Sequence, residues 1–153
     1  MKEQKTTYFS IIISIIVVAL LGTLFVNLGM DWYDTLARPS QFVPNFIIPI
    51  VWTIIYIIFA VVLCLLASVT VFSTKTKVLL IINGILNILW CLVFFTFGQT
   101  FGGLIFIVLL LISAFLLVND LIEYGKWYTY LTAIYPIWVS IATGLNLSLW
   151  ILN

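Results

Sequence analysis

The charged side chains of this 153-residue chain fall into four clusters, and the stretches between them carry no charge at all. Lys2, Glu3 and Lys5 open the chain. Asp31, Asp34 and Arg38 form the second cluster, Lys75 and Lys77 the third, and Asp120, Glu123 and Lys126 the fourth. A helix that crosses a bilayer needs about 20 apolar residues. The uncharged segments 6–30, 39–74 and 127–153 hold one such helix each, and 78–119 is long enough for two. Its turning point is expected at Phe97-Gly98-Gln99-Thr100-Phe101-Gly102-Gly103, where Gly breaks the helix and Gln and Thr seek water or partners. Five spans result, at about 8–28, 46–69, 78–97, 102–122 and 127–150. Backbone groups left unpaired in hydrocarbon are too costly, so the spans are expected to be helices. The apolar runs are continuous rather than alternating, which argues against a barrel. Apolar residues make up 65% of the chain and charged residues 7%, against roughly 25% charge in a soluble domain. The expected fold is an all-α integral membrane protein, a five-transmembrane-helix bundle in a single domain over 1–153, with membrane lipid as its surroundings.

Orientation follows from Lys and Arg. With the N-terminus in the cytoplasm, the inner side carries Lys2, Lys5, Lys75, Lys77 and Lys126, and the outer side only Arg38. The positive-inside rule therefore predicts a multi-pass protein of the cell membrane with a cytoplasmic N-terminus. The first apolar run exceeds 20 residues, and no small-x-small site precedes Asp31, so it is read as a retained span rather than a cleaved signal. Cys64 and Cys91 both fall inside spans and are read as packing residues, with no disulfide or metal pair.

The longest connection is expected at 29–45. Trp32 and Tyr33 lie within it. They either sit at the membrane interface, as Trp and Tyr commonly do, or belong to a lid-like loop over the bundle mouth.

Within the spans, polar and aromatic residues recur at spacings of three and four, which places them on one helix face. Pro49, Trp52, Thr53, Tyr56 and Ala60 form such a stripe on the second span. Asn83, Asn87, Trp90 and Phe94 form one on the third, and Tyr135, Trp138, Ala142 and Asn146 one on the fifth. An Asn amide facing lipid leaves its donors and acceptors unmet, so these faces are expected to turn inward. There they either bond helix to helix or line a common cavity for a flat, largely apolar ligand with some polar edge. Pro49 and Pro136 are read as kinks or as part of these faces.

No Asp, Glu, Lys, Arg or His lies in the central part of any span, whereas ion-coupled transporters usually place one there. The chain contains no His, so a Ser-His-Asp set is out of reach, and it carries neither HExxH nor a phosphate-cradling glycine loop. Ion-coupled transport, hydrolysis and nucleotide chemistry are disfavoured, and no nucleic-acid partner and no metal site are expected.

Four segments resemble the TspO/MBR family of tryptophan-rich sensory proteins, which includes the mitochondrial translocator protein or peripheral-type benzodiazepine receptor. Trp32-Tyr33-Asp34-Thr35-Leu36-Ala37-Arg38-Pro39 is similar to the family's W-Y-x-x-L-x-K-P, with Arg in place of Lys. Pro49-Ile50-Val51-Trp52-Thr53-Ile54-Ile55-Tyr56 is similar to P-x-x-W-T-x-x-Y. Asn87-Ile88-Leu89-Trp90-Cys91 with Phe94-Phe95 is similar to N-x-x-W-S-x-x-F-F, and Tyr135-Pro136-Ile137-Trp138 with Ala142, Leu145 and Asn146 to Y-x-x-W-x-x-x-A-x-x-L-N. The chain departs from the family at three places. Gln41 and Val43 stand where the loop usually has W-x-P-P, Pro136 follows Tyr135 where the family's Pro precedes it, and Cys91 replaces Ser.

The resemblance implies a five-helix bundle, often a homodimer, that binds tetrapyrroles such as protoporphyrin and haem and similar planar apolar ligands. It implies a sensor, carrier or regulator of porphyrin metabolism. The alternatives it leaves open are a light-dependent porphyrin-degrading enzyme, with Trp52 and Trp138 as its catalytic residues, and an uncoupled transporter of small apolar molecules. By carry-over, Trp52, Tyr56, Asn87, Trp90, Cys91, Trp138 and Ala142 line the ligand site and Tyr33 closes it. No cofactor is required, with porphyrin or haem as the ligand. Haem iron usually takes His, Cys, Met or Tyr, and the lack of His favours a metal-free porphyrin or a haem held by its ring and edges.

Overall fold

The first helix, α1, runs from Lys2 to Thr35 and carries Asp31 and Asp34 of the second charge cluster within it. At about 1.5 Å per residue its 34 residues exceed the ~30 Å hydrocarbon core. Its last turns can therefore carry carboxylates outside the lipid without unwinding. The remaining elements are α2 (Ile47–Val69), α3 (Thr74–Cys91) with a π-helical continuation over Leu92–Thr96, α4 (Thr100–Asp120) with a 3₁₀ turn over Leu121–Tyr124, α5 (Lys126–Thr132) and α6 (Ile134–Leu152). The structure is a computed structural model. It describes residues 2–40 and 43–153, with residues 2–6 in backbone only, so Lys2, Lys5 and Gln41 lie outside the described side chains.

Five of these segments are long and apolar enough to cross a membrane: 7–35, 47–69, 74–96, 100–124 and 126–152. The connection expected at 29–45 is shorter than the sequence suggests. Trp32 and Tyr33 are helical, and only residues 36–46 lie between α1 and α2. Tertiary contacts hold the extra turns. Gly29 lies so close to the π turn that a Cβ there would meet the Phe95 carbonyl oxygen at 2.1 Å. Two turns of α1 are thereby brought onto Phe94, with Trp32 edge-on at 5.6 Å between ring centroids. Gly98, with a φ of 62°, ends the π turn beneath the Trp32 indole. A π segment is an uncommon break in a helix, and here it coincides with the closest approach of α1.

Around the bundle the helices follow the order α1, α3, α4, α6, α2, with α2 closing the ring back onto α1. Helix α4 packs along both α3 and α6 and buries Ile107, Leu110, Ala114 and Leu117, spaced three and four apart. Among the described residues helix α1 packs mainly on α2, α3 and the π turn, so it forms one wall of the bundle rather than its centre. The fifth span is broken at Ala133 because Pro136 has no N–H to give the Thr132 carbonyl four residues back. Pro49 makes no such break: it falls in the first turn of α2, where a missing N–H is harmless.

Two polar clusters tie the ends. Asn153 clamps the 36–46 connection, accepting from the Ala37 N–H (2.9 Å) and donating to the Ala37 carbonyl (3.0 Å). At the opposite end Ser73 caps α3. Thr76, fully buried, donates to Asp120 (2.6 Å) and shares a hydrogen bond with Tyr124 (2.7 Å). Lys75 completes the cluster with an ion pair to Asp120 at 2.6 Å. Small residues let elements of the chain approach closely. Gly84 lies against Val18, Gly102 against Val93, Gly103 against Phe94, and Ala114 is fully buried.

Candidate functional site

The inward stripes meet as a column of aromatic rings. Tyr33 at the end of α1 contacts Phe94 and Phe95, and Phe94 and Phe95 contact Trp90. Trp90 stacks on Trp52 with centroids 5.9 Å apart and planes at 30°. Trp52 in turn meets Tyr56 (5.9 Å) and Tyr135 (6.2 Å), and Tyr135 meets Phe59 (5.3 Å). The offset and edge-on geometries are those that aromatic quadrupoles favour, each contributing about 0.5–1.5 kcal/mol beyond burial.

Amides hold the column in register. Tyr135 donates to Asn83 Oδ1 (2.8 Å), and Asn83 Nδ2 donates to Ser113 Oγ (2.8 Å), joining α6, α3 and α4. Tyr56 donates to Asn87 Oδ1 (3.3 Å), and the Trp90 indole to Asn146 Oδ1 (3.4 Å). The third- and fifth-span stripes are buried at every position: Asn83, Asn87, Trp90, Phe94, Tyr135, Trp138, Ala142 and Asn146. The second-span stripe is corrected. Pro49 and Thr53 are exposed, and the Thr53 hydroxyl is satisfied by the Pro49 carbonyl (2.8 Å), so Trp52 and Tyr56 are the members of the stripe that turn inward, with Ala60 half-buried. A hydroxyl that can bond its own helix four residues back has no need of the interior.

Below the column lies a cavity of about 740 Å³. Its walls come from the first half of α1, the middle of α2 and most of the length of α3, with Leu117 and Tyr135 behind. Of the eight residues expected to line a site, Tyr56 and Asn87 do so. Trp52, Trp90 and Cys91 stand beside it in the column and its flank, where Cys91 faces Gly22 at 3.5 Å from where a Cβ would be. Tyr33 lies at the far end of the column, with the Arg38 guanidinium 4.5 Å above its ring, and does not reach the cavity. Trp138 and Ala142 are buried but outside the lining, and the Trp138 Nε1 is buried without a hydrogen-bond partner. Ser10, Ser14 and Lys77, on α1 and α3, line the cavity and were not singled out from the sequence. The signal for the two serines was a pair of hydroxyls four apart in an otherwise apolar run.

Cys64 and Cys91 are free thiols, and among the described residues no group of His, Cys, Asp and Glu could hold a metal. Apart from Lys77 the lining is uncharged, so the cavity can solvate a ring or a chain but offers no acid–base pair.

These features define a five-helix membrane protein with an aromatic column running into an internal hollow. Residues 10–151 match the TspO/MBR family, and the chain belongs to it. It is similar to Protein CrtK of Rhodobacter capsulatus, at 31% identity over 126 residues, covering 80% of this chain and 78% of the relative. It is equally similar to the Tryptophan-rich protein TspO of Chlorobaculum tepidum, at 31% over 157 residues, covering 100% and 99%. The Tryptophan-rich protein TspO of Archaeoglobus fulgidus matches at 24% over 144 residues, covering 93% and 94%.

Proposed function

We propose that this protein binds tetrapyrroles such as protoporphyrin or haem, and similar planar apolar ligands, within its bundle, and acts as a sensor, carrier or regulator of porphyrin metabolism. It does so in the cell membrane with its N-terminus in the cytoplasm. The observation that carries the reading is that column and hollow are continuous: Tyr56 and Tyr135 belong to both. A flat ring entering the hollow would meet aromatic faces at one end and Ile, Leu and Phe side chains on its sides. The volume of about 740 Å³ falls within the ~300–1,000 Å³ of small-molecule sites.

The ring would be held by its faces and edges rather than through iron. The Tyr56 and Tyr135 hydroxyls are engaged by Asn87 and Asn83, and Cys91 packs against Gly22. Orientation is supported by the placement of Lys75, Lys77 and Lys126 at the end of the bundle where α1 begins, with Arg38 at the other. Homodimer formation belongs to the same proposal and is tested by the mass of the detergent-solubilised particle.

The direct test is a titration of the purified protein in lipid nanodiscs with protoporphyrin in the dark, read by tryptophan fluorescence. Saturable quenching in the micromolar range is expected, weakened in Trp52→Phe and further in Tyr56→Ala. Equal quenching by wild type and the combined Trp52→Phe/Tyr56→Ala variant would remove the column from the site.

A further inference from the structure

The cavity is open on one side, and its lining says which. Ile13 and Val17 on α1 and Ile81 and Ile85 on α3 all line it, yet they are 42–61% exposed. The α2 residues that line it, Ile55, Tyr56, Phe59 and Leu63, are buried or half-buried. The opening therefore lies in the seam between α1 and α3. Both helices are spans, so the seam faces lipid tails and not water.

The polar groups of the lining are segregated. Deep in the bundle Tyr56, Asn83, Asn87 and Tyr135 bond one another and Ser113. At the membrane-surface end, where α1 and α3 begin, stand Thr7, Ser10 and Lys77. Among the described residues Lys77 is the one charged group of the lining and makes no ion pair, whereas its neighbour Lys75 is paired with Asp120. An unpaired ammonium at the edge of an apolar hollow, reached from the bilayer, suits a molecule that presents an acid at headgroup level and a chain below it.

We propose that this cavity takes single-chain carboxylate amphiphiles of the fatty-acid type, which enter from the bilayer between α1 and α3 and anchor their carboxylate on Lys77. The hollow is shared with the tetrapyrrole reading, but the ligand class, the route and the recognising residue are separate from it.

The test uses the full chain in nanodiscs and the quencher 9,10-dibromostearate, with its methyl ester as the uncharged control. The acid is expected to quench tryptophan fluorescence saturably and to bind about three- to ten-fold more tightly than the ester, the range for a charge-assisted contact near a surface. Lys77→Gln should bring the acid down to the ester, and Lys77→Arg should restore it. Val17→Phe with Ile85→Phe adds bulk only at exposed rim positions and should abolish the saturable component for both probes. Equal affinity for acid and ester in the wild type, no change in Lys77→Gln, or undiminished quenching in the rim variant would each overturn the proposal. Protoporphyrin binding that persists while dibromostearate fails sinks this inference alone. Dibromostearate binding without protoporphyrin binding sinks the tetrapyrrole reading and leaves this one standing.

Discussion

Substituting Gly29 by Ala is the sharpest single test of how α1 is held. In an ordinary helix this change is favourable by about 0.5–1 kcal/mol, because Ala loses less backbone freedom. At Gly29 the new Cβ would lie 2.1 Å from the Phe95 oxygen and 2.3 Å from its carbonyl carbon. Real Cβ atoms essentially never approach below 3.0 Å, so α1 or the π turn must retreat by nearly 1 Å. The obstacle is backbone, which cannot swing aside as a side chain does. Overpacking against a mobile partner already costs about 1–3 kcal/mol, so the upper end of that range is expected even after the propensity gain. For a chain of this length, about 3 kcal/mol corresponds to a Tm lowered by roughly 6–12 °C. Gly144 provides the matched control: it is helical and exposed, and a Cβ there meets nothing within 4 Å. Gly144→Ala should leave Tm unchanged or raise it slightly. Thermal unfolding in one detergent, followed by intrinsic fluorescence, measures both. If Gly29→Ala melts with Gly144→Ala, the close approach of α1 to the π turn is wrong.

Other consequences concern the amides and the end cluster. Asn83→Ala and Tyr135→Phe share one hydrogen bond, so a double-mutant cycle should show a coupling of about 0.6–1.7 kcal/mol, the range for such bonds between membrane helices; additive losses in an unfolding titration would contradict the pairing. Thr76→Val keeps the shape but removes the hydroxyl that donates to Asp120 and accepts from Tyr124, and a loss of about 1–3 kcal/mol is expected, with Thr76→Ser close to wild type in the same melts. Asn153→Ala removes both bonds to Ala37; amide hydrogen exchange should then accelerate in residues 36–40 and stay unchanged in α3.

The aromatic and amide stripes on α3 and α6 were legible because a polar amide cannot face lipid, which forces the side of the helix that carries it inward. The same reasoning overreached on α2. Thr53 satisfies itself on the Pro49 carbonyl and so carries no information about which way its helix turns. Tyr33 illustrates a different gap. Its sequence neighbours read as a loop because charge begins at Asp31, but a helix need not end where the lipid does, and Gly29 and Phe94 hold it for six further residues.

Sequence by itself determined the membrane setting, the number of spans and the inward faces of α3 and α6, because the bilayer penalises each misplaced polar group separately and locally. Whether those faces enclose a space was decided by tertiary structure alone. Trp52, Trp90 and Tyr33 fill the upper bundle by packing on one another, while α1, pinned at Gly22, Gly84 and Gly29, leaves room lower down beside Ser10, Ser14 and Lys77. A cavity is a property of how distant helices approach, and a spacing of three and four residues within one helix cannot carry it.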